Sequence, residues 1–429
     1  MSDKLKRQAI ADGVYFSWVK DAKFKLNRLT VNFIMPLSAQ TASNNAVVPY
    51  ILRMGCKKWP DFTSLNSRLC DLYGASLRGE VSKNGGWQIL ELSIKMMDNR
   101  FALEGEDLTA LCAELLADIA LDPKLDKSGD FHEKDTALER QFLMDSIEAE
   151  INEKRSYAIS KCVQVMCQDE PVAIHRLGEF ADAERITPKS AADAYRNIIK
   201  TAQVEIQFTG SGDPSVCLDI FSRRFADVKR EPITHSRTKL RGVADLVREK
   251  VESMEVSQSK LVMGLRTGEG SSMEHANARR VFAALFGGTP FSKLFMNVRE
   301  KLSLCYYCAA RYDNATGILM VDSGVEAANK QKALEEIMIQ LDCVRRGEFD
   351  PDELVNTKLL MKNSITTARD SLSALESWYL SQILLGQSLS PEEDAANIDA
   401  ITRDQVIDAA KAVTLDTIYF LTELEKEGA

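Results

Sequence analysis

The sequence Ile186-Thr-Pro-Lys189 opens a helical pattern that leads into the apolar run Val204-Glu-Ile-Gln-Phe208. The same order returns about 215 residues later, where Ile401-Thr-Arg-Asp404 opens a helical pattern before Thr417-Ile-Tyr-Phe-Leu421. Apolar residues at helical spacing predict a helix, and short β-branched and aromatic runs predict a strand. The two stretches therefore predict the same helix–strand unit at the end of each half of the chain.

Earlier patterns also recur, at an offset of about 230 residues. The strand pattern 29–35 corresponds to 260–266, and a hairpin strand that begins at Ser76 corresponds to one that begins near Tyr306. One insertion of about 15 residues near 121–135 accounts for the smaller offset at the end of each half. Because the order of the patterns matches although few residues are identical, tandem duplication explains them better than the alternative, two unrelated α/β domains.

Hairpins and helices together indicate the fold class. An Asn-Gly turn within 83–86 joins the alternating runs 76–82 and 87–94, which is a strong hairpin signal. Helical patterns cover roughly 41–53, 62–72, 104–120 and 134–166 in the first half and 273–286, 291–302, 328–346 and 351–386 in the second. We expect an α+β protein with two homologous tandem domains, each a mixed or antiparallel sheet with helices on one face.

The domain boundaries follow from breaks in this periodicity. Pro232 and basic clusters interrupt the pattern between the halves. We therefore predict an N-terminal repeat domain at 1–215, a linker at 216–240 and a C-terminal repeat domain at 241–429.

Composition limits the partners. The 429 residues include 54 Lys+Arg and 63 Asp+Glu, a net charge of -9, which argues against nucleic acid or an anionic membrane as the main partner. No apolar run reaches the ~20 residues of a membrane span, and no apolar segment of a secretory signal follows the charged N-terminus. The 9 cysteines are odd in number and scattered, which favours reduced thiols and a cytoplasmic location.

The usual catalytic constellations are missing from the sequence. There are only 4 histidines, and His132-Glu-Lys-Asp-Thr136 has Thr where an H-E-x-x-H motif needs its second histidine. The other histidines have no second histidine within four residues, and neither a phosphate-binding P-loop nor a G-x-S-x-G nucleophile motif occurs. The sequence by itself therefore predicts no self-contained active site.

One C-x-x-C motif, Cys305-Tyr-Tyr-Cys308, needs separate consideration. In thioredoxin-like proteins such a pair begins a helix, which lowers the pKa of a thiol. Here the pair begins a predicted strand, and residues three apart on a regular strand point to opposite faces. The sequence therefore argues against a redox role for these two cysteines.

Three stretches together resemble one family. Gly55-Cys-Lys-Lys-Trp-Pro60 and Leu72-Tyr-Gly-Ala-Ser76 are similar to the N-terminal domain of the insulinase/pitrilysin-type metallopeptidases, the inverted zincins. Phe286-Gly-Gly-Thr-Pro-Phe-Ser-Lys-Leu-Phe295, which runs into Val298-Arg-Glu-Lys-Leu-Ser-Leu-Cys-Tyr306, resembles the C-terminal repeat of that family. The resemblance covers nearly the whole chain and implies a half-size, bacterial-type subunit that forms half of a clam-like chamber.

The resemblance also indicates a lost zinc site. Active members carry an H-x-x-E-H motif on a helix, with the first histidine nine residues before the glycine that Gly55 matches. Those positions hold Ala46 and Tyr50 in place of the two histidines and Pro49 in place of the glutamate. None of the three suits the replaced role, since alanine has no ligand atom, proline exchanges no proton and a neutral phenol binds zinc poorly.

A third zinc ligand in the family is a glutamate on a later helix. The corresponding position falls on Ser146, although Glu148 and Glu150 lie close enough to leave the alignment open. We therefore expect that this chain binds no metal or other cofactor and that zinc is bound by a partner subunit. A purely structural interpretation of the stretch 46–53, a core helix with apolar residues packed inward, is compatible with this loss.

The resemblance assigns one further pair. Non-catalytic subunits of the family supply an Arg and a Tyr seven residues apart to bind substrate, and Arg299 and Tyr306 have that spacing. A guanidinium and a phenol are suitable donors for a peptide carbonyl. The neighbours Tyr307, Arg311 and Tyr312 could be mistaken for the pair, and without the family match an exposed Arg and a half-buried Tyr would be the simpler interpretation.

The sequence therefore predicts a non-catalytic subunit of a heterodimeric zinc metallopeptidase. It would close the chamber and bind short or unfolded peptides opposite a zinc-bearing paralogue, and it would have no peptidase activity alone. Two alternatives remain open: a structural scaffold without a proteolytic role, and a homodimer that binds peptides without cleaving them.

Overall fold

The computed structural model describes residues 4–268, 273 and 275–424. Its strands are β1 (Lys6–Ala11), β2 (Val14–Lys20), β3 (Leu26–Pro36), β4 (Ser76–Asn84), β5 (Trp87–Met97), β6 (Gln203–Gly210), β7 (Arg248–Met254), β8 (Ser259–Arg266), β9 (Cys305–Asp313), β10 (Ile318–Val325) and β11 (Thr414–Glu423).

The first seven helices are α1 (Ala42–Leu52), α2 (Phe62–Asp71), α3 (Leu108–Leu121), α4 (Glu133–Ala149), α5 (Lys154–Met166), α6 (Phe180–Glu184) and α7 (Pro188–Thr201). The later helices are α8 (Pro214–Ala226), α9 (Ala276–Ala283), α10 (Lys330–Arg345), α11 (Pro351–Thr367), α12 (Leu372–Leu384), α13 (Pro391–Asp399) and α14 (Arg403–Lys411). Two π-helical segments, Ala284–Gly288 and Leu294–Lys301, follow α9.

Contacts divide the chain into two units, and neither is continuous in sequence. Unit 1 comprises Met1–Glu148, Ile174–Ser236 and Ala368–Ser390. Unit 2 comprises Ala149–Ala173, Arg237–Thr367 and Pro391–Ala429. Each unit therefore takes one segment from the other half of the sequence, and the beginning of the predicted linker 216–240 is helical, as part of α8.

The two sheets share one strand order, which matches the predicted repeat. Unit 1 contains the six-stranded sheet β1-β2-β6-β3-β5-β4, and unit 2 contains the five-stranded sheet β7-β11-β8-β10-β9. β2 pairs with β6 in parallel, as β7 does with β11, and the other neighbouring strands are antiparallel. The predicted α+β class with two mixed sheets is confirmed.

One face of the unit 1 sheet forms the larger part of its core. Alternate residues of β3, among them Leu29, Val31 and Phe33, are buried and pack with apolar side chains of α1, α3, α7 and α8. Burial of this kind contributes about 25 cal/mol for each Å² of apolar surface. This face holds α1, the helix on which the resemblance places the lost zinc site, against the sheet.

The second face of the same sheet is covered by α12, which comes from the other half of the sequence. Glu376 of α12 accepts hydrogen bonds from Arg28 Nε at 2.5 Å and Thr30 Oγ1 at 2.7 Å, both on β3. Leu384 of the same helix packs with Ile34. Helices therefore pack on both faces of this sheet, whereas the sequence predicted one face.

Unit 2 has the corresponding arrangement. Its sheet packs against α5, which comes from the first half of the sequence: Cys162 and Met166 lie in one cluster with Val262 and Tyr419. A Cβ added at Gly264 of β8 would lie 2.6 Å from Met166 Sδ, so this glycine allows the close approach of the helix.

These exchanged helices explain two differences from the predicted helical patterns. The pattern 134–166 is interrupted between α4 and α5, where Glu153 has φ -85° and ψ 74° and the chain passes from unit 1 to unit 2. The pattern 351–386 is interrupted between α11 and α12, where Ser371 is extended and its hydroxyl caps the Ala374 amide. The sequence pattern did not show either break, because both helices of each pair are amphipathic and the apolar spacing continues from one to the next.

A buried arginine connects the exchanged segment to the sheet of unit 2. Arg266 of β8 is 1% exposed. Its guanidinium donates to Asp416 at 3.0 Å, to Glu170 at 2.8 Å and to the Met166 carbonyl at 2.9 Å. Glu170 and Asp416 therefore share this cation, and Asp416 also forms an ion pair with Arg248 at 3.0 Å.

We expect Arg266→Met to lower the free energy of unfolding by about 3–5 kcal/mol, because it leaves Glu170 buried without its cation and Asp416 with Arg248 alone. Urea denaturation measures this loss. The matched control is Arg346→Met, which removes a surface ion pair with Glu348 at 2.5 Å and should leave the urea midpoint almost unchanged. Equal midpoints for the two variants would show that the buried network does not stabilise unit 2.

We also expect Glu376→Gln to change the pH dependence of stability. Burial raises the pKa of Glu376 to about 7, against the opposing effect of Arg28. The folded state therefore binds the proton more tightly than the unfolded chain, and this contribution to stability is lost as pH rises from about 4.5 through 7. The difference in unfolding free energy, wild type minus variant, should fall over that range in urea titrations at a series of pH values, and a flat or rising difference would contradict the assignment.

Candidate functional site

The helix that corresponds to the family's zinc-binding helix, α1, is buried in the core of unit 1. Ala46 is fully buried and Tyr50 is 9% exposed, and both lie on α1 with Pro49 between them. The helix also contacts the edge of the sheet closely, since a Cβ added at Gly79 of β4 would lie 2.7 Å from the Pro49 carbonyl oxygen. Packing residues thus occupy the three positions at which the resemblance places the histidines and the glutamate.

Tyr50 belongs to a cluster of aromatic and charged side chains. Its ring meets that of Phe142 on α4 edge-on, with the centroids 5.2 Å apart. The guanidinium of Arg53 lies 5.5 Å from the Tyr50 centroid and 5.2 Å from the Phe142 centroid. Burial raises the pKa of Tyr50, so its phenol is neutral at neutral pH and poorly suited to bind a metal.

The same arginine forms an ion pair with a buried carboxylate. Arg53 Nη2 lies 3.3 Å from Glu139 Oε2, and the Glu139 side chain is 4% exposed. Burial raises the pKa of Glu139, while Arg53 acts to lower it. The sequence alone assigned no role to Arg53 or Glu139. The available signal was the helix spacing of Glu139 and Phe142, which are three positions apart and share a helix face.

The resemblance places the third zinc ligand on α4, at Ser146 or close to Glu148. Tyr50 on α1 contacts Phe142 on α4, and Arg53, the C-cap of α1, pairs with Glu139 one turn earlier on α4, so the helices run antiparallel here. Ser146 lies one turn beyond Phe142, and its hydroxyl donates to the Phe142 carbonyl at 2.7 Å. Within the described residues, no group of three His, Cys, Asp or Glu side chains is arranged to hold a metal ion.

The structure places Arg299 and Tyr306 on one cleft. Arg299 lies in the second π-helical segment and Tyr306 on β9, and both line an open cleft of about 500 Å³ in unit 2. The guanidinium of Arg299 lies 4.6 Å from the Phe295 ring centroid and 3.5 Å from the Glu300 carboxylate. Tyr306 is 63% exposed. Both predicted residues thus present polar donors to the same space.

A β-bulge determines the direction of Tyr306. β9 pairs with β10 in regular register from Asp313 to Tyr307, which is opposite Gly324; the next pair is then Val325 with Cys305 instead of Tyr306. Tyr306 is therefore the extra residue of the bulge, and such residues are commonly re-aimed away from the ladder.

The same bulge overturns the sequence argument about Cys305 and Cys308. One inserted residue restores Cys305 to the face of Cys308, and both side chains are buried there. The expectation that they point to opposite faces is wrong, because it assumed a regular strand.

The residues that could be mistaken for the pair lie in other surroundings. Tyr307 is covered by the guanidinium of Arg155, 4.3 Å from its ring centroid. Burial raises the pKa values of both Tyr307 and Tyr312. Arg311 is exposed on β9 but is not among the residues that line the cleft.

We expect Arg53→Met to destabilise the protein more at pH 7.5 than at pH 5. The variant removes the cation beside Glu139, whose raised folded-state pKa rises further, so the loss of stability grows as pH rises through that pKa. At pH 7.5 the cost should be about 1–3 kcal/mol, reduced from that of a fully buried pair because Arg53 is 33% exposed. The double variant Arg53→Met/Glu139→Gln should recover most of it in urea unfolding, and equal losses at both pH values would contradict the pairing.

Other general features of the chain are consistent with its sequence. All nine cysteines carry free thiols. Among the described residues, none of the helices combines the length and the apolar character required to cross a membrane.

Comparison with known proteins identifies the family. A family profile described as the peptidase M16 inactive domain matches residues 185–361. The probable inactive metalloprotease YmfF of Bacillus subtilis is 30% identical over 411 residues, which cover 95% of both chains.

Solved structures share the fold over the whole chain. A conserved protein from Enterococcus faecalis superposes with a TM-score of 0.91 at 27% identity and covers 99% of this chain and 100% of its own. A peptidase M16 inactive domain from Pseudomonas fluorescens gives a TM-score of 0.75 at 14% identity, with 99% and 100% covered. Together with the altered zinc helix, these findings show that the chain belongs to the M16 family, the insulinase/pitrilysin-type metallopeptidases, and is a homologue of a probable inactive metalloprotease.

Proposed function

We propose that this chain is the non-catalytic subunit of a heterodimeric zinc metallopeptidase. The observation that carries the proposal is that α1 keeps its place in the fold while Ala46, Pro49 and Tyr50 replace the catalytic residues. A partner of the same family, with an intact H-x-x-E-H helix, supplies the zinc, the activated water and the general base. The present chain closes the chamber on the opposite side.

In this complex, Arg299 and Tyr306 of the present chain bind the substrate. Both side chains line the cleft in unit 2 and are partly or largely exposed. The guanidinium offers several N–H donors and the phenol one O–H donor, which suits a peptide carbonyl and the oxyanion that develops from it. The planar face of Arg299 rests against Phe295, which restricts the side chain while its N–H groups remain at the edge.

The substrates are short or unfolded polypeptides in the cytoplasm. A closed chamber admits an extended chain and excludes a folded domain. Two acidic residues, Glu300 and Glu326, line the same cleft as Arg299, so a basic side chain of the peptide finds counter-charges beside the carbonyl donors.

The experiment is co-expression with zinc-bearing paralogues, followed by a peptidase assay. The isolated chain should show no chelator-sensitive activity. In the active complex, Arg299→Ala and Tyr306→Phe should lower kcat/KM by about 10²-fold, the scale for loss of one oxyanion donor.

Two variants serve as controls. Arg311→Ala removes an exposed arginine from β9, the strand that carries Tyr306. Tyr73→Phe removes a hydroxyl that donates to Glu106 at 2.9 Å in unit 1. Both should keep the activity of the wild-type complex. Full activity of Arg299→Ala and Tyr306→Phe would refute the substrate-binding role, and failure to pair with any paralogue would favour a scaffold function.

A further inference from the structure

The two thiols of the C-x-x-C motif form a compact pair beside the proposed substrate cleft. Cys305 lines that cleft and is 9% exposed, whereas Cys308 does not line it and is 4% exposed. The bulge at Tyr306 turns both side chains to the same face of β9. The Cys305 thiol therefore borders the cleft, and the Cys308 thiol lies on the same face of the strand, out of solvent.

The surroundings of the pair separate the acidities of the two thiols. The neighbouring Cys308 thiol lowers the pKa of Cys305 to about 7, with smaller effects of Ser323 and of the positive charge of Arg299, although burial opposes the shift. The neighbouring Cys305 thiol and burial raise the pKa of Cys308 well above its usual value. At neutral pH Cys305 thus has substantial thiolate character, which is the nucleophilic form, and Cys308 keeps its proton.

We propose that Cys305 and Cys308 form a reversible dithiol–disulfide site whose oxidation by a peroxide displaces Tyr306. The Cys305 thiolate attacks one peroxide oxygen, which breaks the O–O bond, forms a sulfenic acid and releases hydroxide. The Cys308 thiol then attacks the Cys305 sulfur, forms the S–S bond and releases water. Two electrons pass from the thiols to the peroxide, and a thiol reductant reverses the reaction.

The geometry of the strand couples this bond to Tyr306. A disulfide requires Cα atoms about 4.4–6.8 Å apart, whereas three residues of regular strand span about 10 Å. Closing the disulfide must therefore tighten the bulge between the two cysteines. Tyr306 is the unpaired residue of that bulge, while Tyr307 is held opposite Gly324, so the movement falls mainly on Tyr306. Its consequence for catalysis rests on the proposed function.

The covalent step is tested on the intact isolated chain with hydrogen peroxide at pH 7.5. Tryptic cleavage after Lys301 and Arg311 gives one peptide, 302–311, that contains both cysteines and no other. We expect this peptide to lose two hydrogens in mass and to regain them with dithiothreitol. Cys308→Ser, which keeps a hydroxyl donor beside Cys305, should instead stop at a sulfenic acid that dimedone traps. A peptide that stays reduced while the exposed Cys70 is oxidised would overturn the proposal.

Alkylation of Cys305 by iodoacetamide gives a second readout. Its rate should rise with a midpoint near pH 7; Cys308→Ala, which removes the neighbour with the largest effect on this pKa, should move the midpoint toward the value of about 8.5 for an ordinary thiol, and Arg299→Ala should raise it by a smaller amount. Arg299→Lys keeps a positive charge and should largely preserve the midpoint. A midpoint above 8 in the wild type would remove the basis for selective oxidation of Cys305.

The displacement of Tyr306 is tested by hydrogen exchange and by activity. Amides of the 302–311 segment should exchange faster in the oxidised chain, and peroxide should lower the activity of the assembled peptidase at least tenfold, reversibly with dithiothreitol. Cys305→Ser/Cys308→Ser should be insensitive. Unchanged exchange after complete disulfide formation would refute the displacement. If no paralogue yields an active complex, the proposed function fails, while the mass and exchange measurements still decide the dithiol site.

Discussion

Both sheets bury their second face against a helix that the other half of the sequence supplies, and charged side chains fix each contact. In unit 1, Glu376 of α12 is bound by Arg28 and Thr30 of β3. In unit 2, Arg266 of β8 binds Glu170, just beyond α5. Because a buried carboxyl group without a hydrogen-bond partner is costly, these contacts favour α12 on one sheet and the segment that contains α5 on the other. Neither sequence repeat therefore contains a complete core of its own.

The altered zinc helix shows how a catalytic element can be kept as structure. α1 still packs on the sheet, but Tyr50, Phe142, Arg53 and Glu139 now form an aromatic and ionic cluster between α1 and α4. This cluster stabilises the contact without a metal. The residues proposed to bind substrate lie instead in unit 2, around a cleft next to an irregular strand.

The bulge in that strand has two structural consequences. The bulge at Tyr306 exposes the phenol and also brings Cys305 beside Cys308. A regular ladder would provide neither, since it would turn Cys305 away from Cys308. The proposed substrate contact and the proposed oxidation site thus depend on one backbone feature, which is why a change at the thiols is expected to reach the phenol.

The sequence alone determined the features that depend on local patterns. Alternation and turn residues predicted the β4–β5 hairpin, the recurring order of patterns predicted one mixed sheet in each half, and the family resemblance implied the loss at Ala46 and Tyr50. Only the tertiary structure decided that α5 and α12 are exchanged, because an amphipathic helix has the same periodicity whichever sheet it covers. The bulge likewise required the structure, since an extra residue appears only when β9 is paired against β10.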